Sequence, residues 1–322
     1  MSWIKVDITD SNGETVKAQA PVIISASRST DIPAFYADWL INRIQKGYLK
    51  WKNPFNGVNL YVAFENARLF VFWSKNPKPM LKYLDYLDDE NYFYYFQFTL
   101  NDYDNEKLEP GVPELQSRIE TFQQLSERIG REKVIWRFDP IILTDKIGID
   151  ELLYKIDNIG NQLKGYTNKL VFSFADIKSY KKVERKLKNS SILYKEFTER
   201  KMNEFAEGLQ QLNENWHFEL ATCAEQISLE QYGIVHNKCI DDHLIVKLFS
   251  HDKVLMDFLA VIKKDKGQRQ FCGCIASKDI GAYNTCPHLC EYCYANSNKE
   301  IVLRNWESLI CGIDRFDGNS LI

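Results

Sequence analysis

Short apolar runs rich in Val, Ile and Phe alternate along this 322-residue chain with longer stretches whose apolar residues recur every three or four positions. The short runs, at 22–27, 68–73, 92–99, 133–138, 169–174, 216–221, 244–249 and 271–276, predict eight strands. A further run at 58–64 predicts a strand that pairs with 68–73 through the polar turn Glu65-Asn66-Ala67. Between 113 and 130, Leu115, Ile119, Phe122, Leu125 and Ile129 share one helical face, with Pro113 in the first turn and Gly130 at the end. Residues 192–213 carry a similar stripe (Leu193, Phe197, Phe205, Leu209, Leu212), and 33–46 opens on Pro33 and carries Phe35, Trp39, Leu40 and Ile44. Strands alternating with helices predict parallel βαβ units. Eight of them predict an α/β fold, a TIM-like (β/α) barrel, closed or partial, built as a single domain over 1–322. A six-stranded partial barrel and an open doubly wound sheet are the alternatives.

Composition narrows the setting. With 45% hydrophobic and 13% aromatic residues the chain can fill a large core, and its net charge of -3 gives no overall attraction to nucleic acid. Residues 1–7 show no basic segment followed by an apolar run, and no apolar stretch approaches the roughly 20 residues that span a bilayer. The expectation is a cytoplasmic protein with no membrane partner. The basic run 178–188 reads as a solvated helix face. The basic loop 263–269 leads directly into a cysteine-rich segment, which makes it the better candidate for function.

In parallel α/β folds, chemistry collects where strands end and the following loops begin. Polar residues gather at those positions here: Arg28 and Asp31, Lys75 and Asn76, Gln97, Thr99 and Asn101, Arg137 and Asp139, Ser173 and Asp176, then Glu219, Cys223 and Glu225. Arg137 and Asp139 are two apart and leave the same face of a strand, as do Gln97 and Thr99. A charged side chain within an apolar strand is costly unless paired or solvated, so the set predicts either an ion-pair network or a polar pocket at one edge of the sheet.

Eight cysteines in a reducing compartment more often bind metal than form disulfides. Cys286, Cys290 and Cys293 lie in Cys286-Pro287-His288-Leu289-Cys290-Glu291-Tyr292-Cys293, a C-x3-C-x2-C spacing within an iron–sulfur segment placed at about 271–296, after the last strand. One short loop of that spacing can ligate three irons of a [4Fe-4S] cluster and leave the fourth open for chemistry. In a closed barrel the neighbouring sixth, seventh and eighth strands would bring Cys223, Cys239, Cys272 and Cys274 together as a four-thiolate site for a second [4Fe-4S] cluster or a structural zinc. Cys311 reads as core. None of the five histidines shows paired ligand spacing, and His288 reads as a surface spacer or a hydrogen-bond donor to the cluster loop.

The loop, with Tyr292 before its last cysteine, resembles the radical S-adenosylmethionine (radical SAM) superfamily. That resemblance implies that Cys286, Cys290 and Cys293 hold a [4Fe-4S] cluster and that Tyr292 lies beside the adenine of SAM. It also implies that the open iron chelates SAM, and that one electron, from a donor such as flavodoxin or ferredoxin, releases a hydrogen-abstracting 5′-deoxyadenosyl radical. The segments 24–33, 71–77, 137–140 and 277–296 are also similar to an uncharacterised bacterial family, domain of unknown function 1848. In ordinary radical SAM enzymes the cysteine loop follows the first strand. A closed barrel puts the loop after its last strand beside the loop after its first, so Arg28, Asp31, Lys75 and Asn76 are expected near Cys286–Cys293.

The expectation is an iron–sulfur enzyme acting on a small molecule. Arg137 or Lys75 would bind a carboxylate or phosphate, Asp31 or Asp139 would hold ribose hydroxyls, and Arg28 stands with them among the catalytic candidates. Asn76 and Gln97 would help bind the cofactor, and Glu225 or Asp176 would move protons. Two other readings stand beside it: a non-redox iron–sulfur lyase or hydratase with the open iron as Lewis acid, and a zinc- or cluster-stabilised binding protein without turnover, with nucleic acid permitted as a ligand but not indicated.

Overall fold

The computed structural model describes residues 3–190, 192–310 and 318–322. Its centre is an eight-stranded sheet of β1 (Ile23–Ala26), β2 (Leu69–Ser74), β3 (Phe93–Thr99), β4 (Val134–Ile141), β5 (Lys169–Phe174), β6 (Glu219–Thr222), β7 (Ile234–His236) and β8 (Lys278–Asp279). The order is β8-β1-β2-β3-β4-β5-β6-β7, and every neighbouring pair is parallel. The last strand, Lys278–Asp279, thus lies beside the first. No ladder among the described residues joins β7 to β8, so the sheet does not close into a barrel.

Both faces are covered, which is why most of these strands read as continuous apolar runs rather than alternating ones. One face carries Phe70, Phe72, Phe96, Phe98, Trp136, Phe138 and Phe172. Helices Leu115–Ile129, Ile149–Leu163 and Glu199–Trp216 bury Phe122, Ile156 and Phe205 in the same core. The Phe98–Phe122 and Phe172–Phe205 ring pairs sit 5.0 and 5.5 Å apart. The other face has two layers. Ile23, Val71, Tyr95, Ile135, Val171 and Ala221 form the lower one, and helices Asp242–Phe249 and Lys253–Val261 cover it through Ile245, Phe249 and Leu255. Two residues further along each strand the side chains turn polar: Ser25, Gln97, Arg137, Ser173 and, after β6, Cys223. Alternation by two stacks this polar layer on the apolar one at the C-terminal edge of the sheet.

Several expectations are corrected. The run at 58–64 forms a strand, Asn59–Ala63, but it does not pair with β2, whose two edges are taken by β1 and β3. It joins a separate four-stranded sheet with Lys5–Thr9, Thr15–Gln19 and Tyr48–Lys52. The run at 244–249 is helical, because Asp241 caps it by accepting from His243 N (2.9 Å) and Ile245 and Phe249, four apart, share the buried face. The seventh strand is the shorter Ile234–His236. Residues 271–276 form no strand beyond a bridge at Ile275, and pairing with β1 waits until Lys278. The helix expected from 192 starts at Glu199, where Thr198 caps it, while Tyr194–Lys195 pairs with Leu143–Thr144. Cys311 lies outside the described residues. Among the described residues no helix is long and apolar enough to cross a membrane.

Candidate metal centre and polar edge of the sheet

The Cys286–Cys293 loop is held from several sides. His288 is buried; its Nδ1 lies 3.0 Å from Gly111 O and its Nε2 2.8 Å from Asp31 Oδ2. Both ring nitrogens face oxygen atoms, so the ring bridges the Gly111 backbone and the Asp31 carboxylate. Gly111 N returns a bond to His288 O (2.9 Å), and a β-carbon at Gly111 would stand 2.4 Å from Pro287 O, so only glycine permits this approach. Glu291 N donates to Leu108 O (2.9 Å), Lys186 Nζ to Cys290 O (2.7 Å), Asn296 Nδ2 to Cys286 O (2.8 Å) and Tyr36 OH to Thr285 O. Leu289, between the first two cysteines, takes left-handed backbone at φ 55°, a conformation that costs a non-glycine residue roughly 1–2 kcal/mol and that these anchors must hold.

Asp31 ties the loop to the first two strands. It caps Ile32–Phe35 by accepting from Ala34 N (3.0 Å), and its Oδ2 accepts from Lys75 N (2.7 Å) as well as meeting His288. Beneath the loop, Lys75 Nζ donates to Glu109 Oε1 (2.7 Å) and to Tyr292 OH (2.9 Å). Asn101 Nδ2 donates to the same carboxylate oxygen (2.8 Å), and Tyr292 OH donates to it too. Burial pushes the Glu109 carboxyl up, but the Lys75 and Arg118 charges outweigh it and hold it down at about 2. Tyr292 hydroxyl therefore anchors the loop in a buried network. The thiols of Cys286, Cys290 and Cys293 interact electrostatically with one another. Burial pushes the Cys286 and Cys290 thiols up, so taking a metal would release protons.

A second group lies across the polar layer. Arg137 donates to Gln97 Oε1 (3.1 Å), to Cys239 Sγ (3.0 Å) and to Asp139, which also accepts from Ser173. Gln97 Nε2 donates to Cys239 O (3.1 Å). Cys223 and Cys239 sulfurs are 3.6 Å apart, and the backbone N–H groups of Cys239 and Ile240 donate to Cys274 Sγ (3.2 and 3.4 Å). The hydrogen bond to Cys239 and burial push Cys223 well up, whereas the bond from Cys274 brings Cys272 down to about 7. Glu225 accepts from Phe174 N (3.0 Å), and burial raises its carboxyl to about 7. Asn101 joins the two groups, since its Oδ1 accepts from Asp139 N (2.9 Å).

Arg28 lies between them, its guanidinium 4.9 Å over Trp73 and its charge facing Asp279, Cys274 and Cys239. Arg28 Nη2, Thr30 Oγ1 and Ser277 Oγ are buried with no hydrogen-bond partner among the described residues. Such atoms fit a polar ligand. Asn76 is half-buried and its N–H donates to Ser74 Oγ (3.0 Å), and Asp176 is exposed. A cleft of ≈ 190 Å³ on the outer side of the loop, lined by Gly111, Lys186 and Leu289 among others, is smaller than the roughly 300 Å³ at which small-molecule sites begin. Among the described residues no three His, Cys, Asp or Glu side chains already stand about one point as a finished metal cage.

Sequence reasoning missed Glu109, Arg118 and the Asp31–His288 pair. Glu109 sits in a loop with no periodicity, and Arg118 is fully buried at the start of the helix Leu115–Ile129, where it donates to Asn101 O (3.0 Å). The adjacent Glu109-Pro110-Gly111 turn was a signal that the chain bends sharply there, though not toward what.

The chain belongs to the family described as domain of unknown function (DUF1848), which matches residues 23–295. No curated protein and no solved structure matches it.

Proposed function

We propose that this DUF1848 protein is a radical SAM-like enzyme, in which Cys286, Cys290 and Cys293 hold a [4Fe-4S] cluster with one open iron and SAM binds above the polar layer. The fold is read with it, as a (β/α) barrel opened between β7 and β8, on the strength of the cyclic strand order. One observation carries the functional reading. The loop that carries the three cysteines is clamped through Asp31 and Lys75 to the edge where the polar residues of the sheet gather.

The donor chemistry fits the group: three thiols and no competing histidine, since both nitrogens of His288 are already engaged. The partnerless buried atoms Arg28 Nη2 and Thr30 Oγ1 fit a ligand with an anionic and a hydroxyl or amino group. When bound, the cluster and SAM supply one-electron cleavage and hydrogen-atom abstraction. The chain's own part is to bind, orient and enclose. Arg28 pairs with a carboxylate on SAM or substrate, and Trp73 keeps its guanidinium flat. Lys75 sets a positive charge beside Cys290 and offsets part of the thiolate charge there. Asp139 is kept ionised by Arg137 and Ser173 and accepts hydroxyl protons from the ligand.

Anaerobic reconstitution with iron and sulfide tests this. The expected result is bound iron and sulfide in equal amounts, and reductive cleavage of SAM to 5′-deoxyadenosine by the reduced protein. Cys290→Ala should lose that iron. Iron content unchanged by Cys290→Ala refutes the ligand assignment, and a loaded cluster that never cleaves SAM moves the reading to a Lewis-acid lyase.

A further inference from the structure

We propose that Cys223, Cys239, Cys272 and Cys274 bind a single tetrahedral divalent ion of the zinc class, and that this ion closes the sheet along the seam where β7 and β8 fail to pair.

The four cysteines come from the two sides of the seam. Cys223 directly follows β6 and Cys239 follows β7, while Cys272 and Cys274 precede β8. Across the seam, Ile275 N donates to Ile240 O (3.2 Å), and the backbone N–H groups of Cys239 and Ile240 donate to Cys274 Sγ (3.2 and 3.4 Å). Gly273 fits between the two cysteines of its segment because a β-carbon there would lie 2.9 Å from the Lys238 side chain on the other side of the seam. All four residues are buried, which sets them apart from surface thiols that react with solutes.

N–H donors are directed at three of the four sulfurs. Cys239 Sγ receives Arg137 Nη1 (3.0 Å) and Asn237 Nδ2 (3.4 Å), Cys274 Sγ receives the two backbone donors, and Arg269 Nη2 lies 3.8 Å from Cys223 Sγ. A neutral thiol is a weak acceptor that does not need five N–H groups directed at three sulfurs, whereas metal-bound thiolates are oriented by such second contacts. Arg28, Arg137 and Arg269 supply positive charge around a site whose four thiolates and one divalent ion would carry net negative charge.

Spacing selects the occupant. Tetrahedral zinc with Zn–S near 2.3 Å puts its sulfurs about 3.8 Å apart. The Cys223 and Cys239 sulfurs are 3.6 Å apart, and Cys274 Sγ lies 3.2 Å from Cys239 N. A [4Fe-4S] cube needs each sulfur on a different corner and holds them much farther apart. Cys272, two residues before Cys274 on the same side of the seam, supplies the fourth thiolate.

The test is metal analysis of the full chain purified anaerobically, in wild type and in the Cys286→Ala/Cys290→Ala/Cys293→Ala variant. One zinc per chain is expected in both, together with the visible bands of a tetrahedral tetrathiolate site when cobalt replaces zinc. Cys239→Ser and Cys274→Ser should each abolish those bands. Should these variants fail to fold, the cobalt spectrum of wild type and the zinc content of the triple variant still decide. Iron and sulfide sufficient for a second cluster, or a folded protein holding no metal outside the Cys286–Cys293 loop, overturns the proposal. Hydrogen exchange tests the seam. Chelating the zinc should speed exchange at residues 234–240 and 272–279 more than in β3 and β4, and equal exchange in all four segments refutes the closing role.

Discussion

Removing the Glu109 carboxylate should damage the protein far from any strand. The side chain is fully buried and its Oε1 accepts from Lys75, Asn101 and Tyr292, while Arg118 Nη1 lies 3.8 Å from Oε2. Glu109→Ala leaves the Lys75 ammonium buried with no counter-charge. Breaking one partner of a buried ion pair costs about 3–5 kcal/mol. The carboxyl's displacement from its ordinary 4.5 to about 2 gives an independent figure of ~3 kcal/mol by proton linkage. Since a folded chain holds only about 5–15 kcal/mol in total, the urea midpoint should fall steeply. The partner loss is specific, so adding Lys75→Met to Glu109→Ala should recover about half of the cost rather than add to it. Urea unfolding followed by far-ultraviolet circular dichroism for wild type, both single variants and the double variant closes the cycle. Additive losses would refute the reasoning, because they would mean that Lys75 and Glu109 do not act as a pair. A loss under about 1 kcal/mol for Glu109→Ala would do the same, since it is the figure for an exposed pair.

The other expectations are brief. Glu109 has a folded value below its unfolded one, so its contribution is complete above about 4.5 and disappears as pH falls toward about 2; the urea midpoint of wild type should drop over that window more than that of Glu109→Gln. Gly111→Ala puts a methyl group 2.4 Å from Pro287 O, and the resulting shift of the cysteine loop should cost about 1–3 kcal/mol and lower iron retention on anaerobic gel filtration. Asp176→Ala, at an exposed position, should change stability by no more than about 0.5 kcal/mol and leave SAM cleavage unaltered.

Strand identity was legible wherever an apolar run is buried on both faces, as at residues 93–99, 134–141 and 169–174. It was misread where a run is short and one-sided. Residues 244–249 have apolar side chains at every spacing, and only the Asp241 cap decides for a helix. The first hairpin, Lys5–Thr9 with Thr15–Gln19, was invisible because its residues are largely exposed and polar, although Asp10 and Gly13 at its turn are ordinary turn residues. Among the candidate residues, those that lie within strands converge: Gln97, Arg137, Asp139 and Ser173 sit on three neighbouring strands, and the sheet carries them to one edge. Asp176 does not, since it lies beyond the end of β5, where no strand phase governs direction. The residues that hold the cysteine loop, Glu109, Gly111 and His288, come from loops, whose long-range partners leave no period in the sequence.

Electron–nuclear double resonance of the reduced, reconstituted protein with isotopically labelled SAM measures contact between SAM and an iron without three-cysteine competition. Hyperfine coupling to the amino nitrogen and carboxylate of SAM, absent in Cys290→Ala, is the predicted result. A reduced cluster whose spectrum does not change when SAM is added would contradict it.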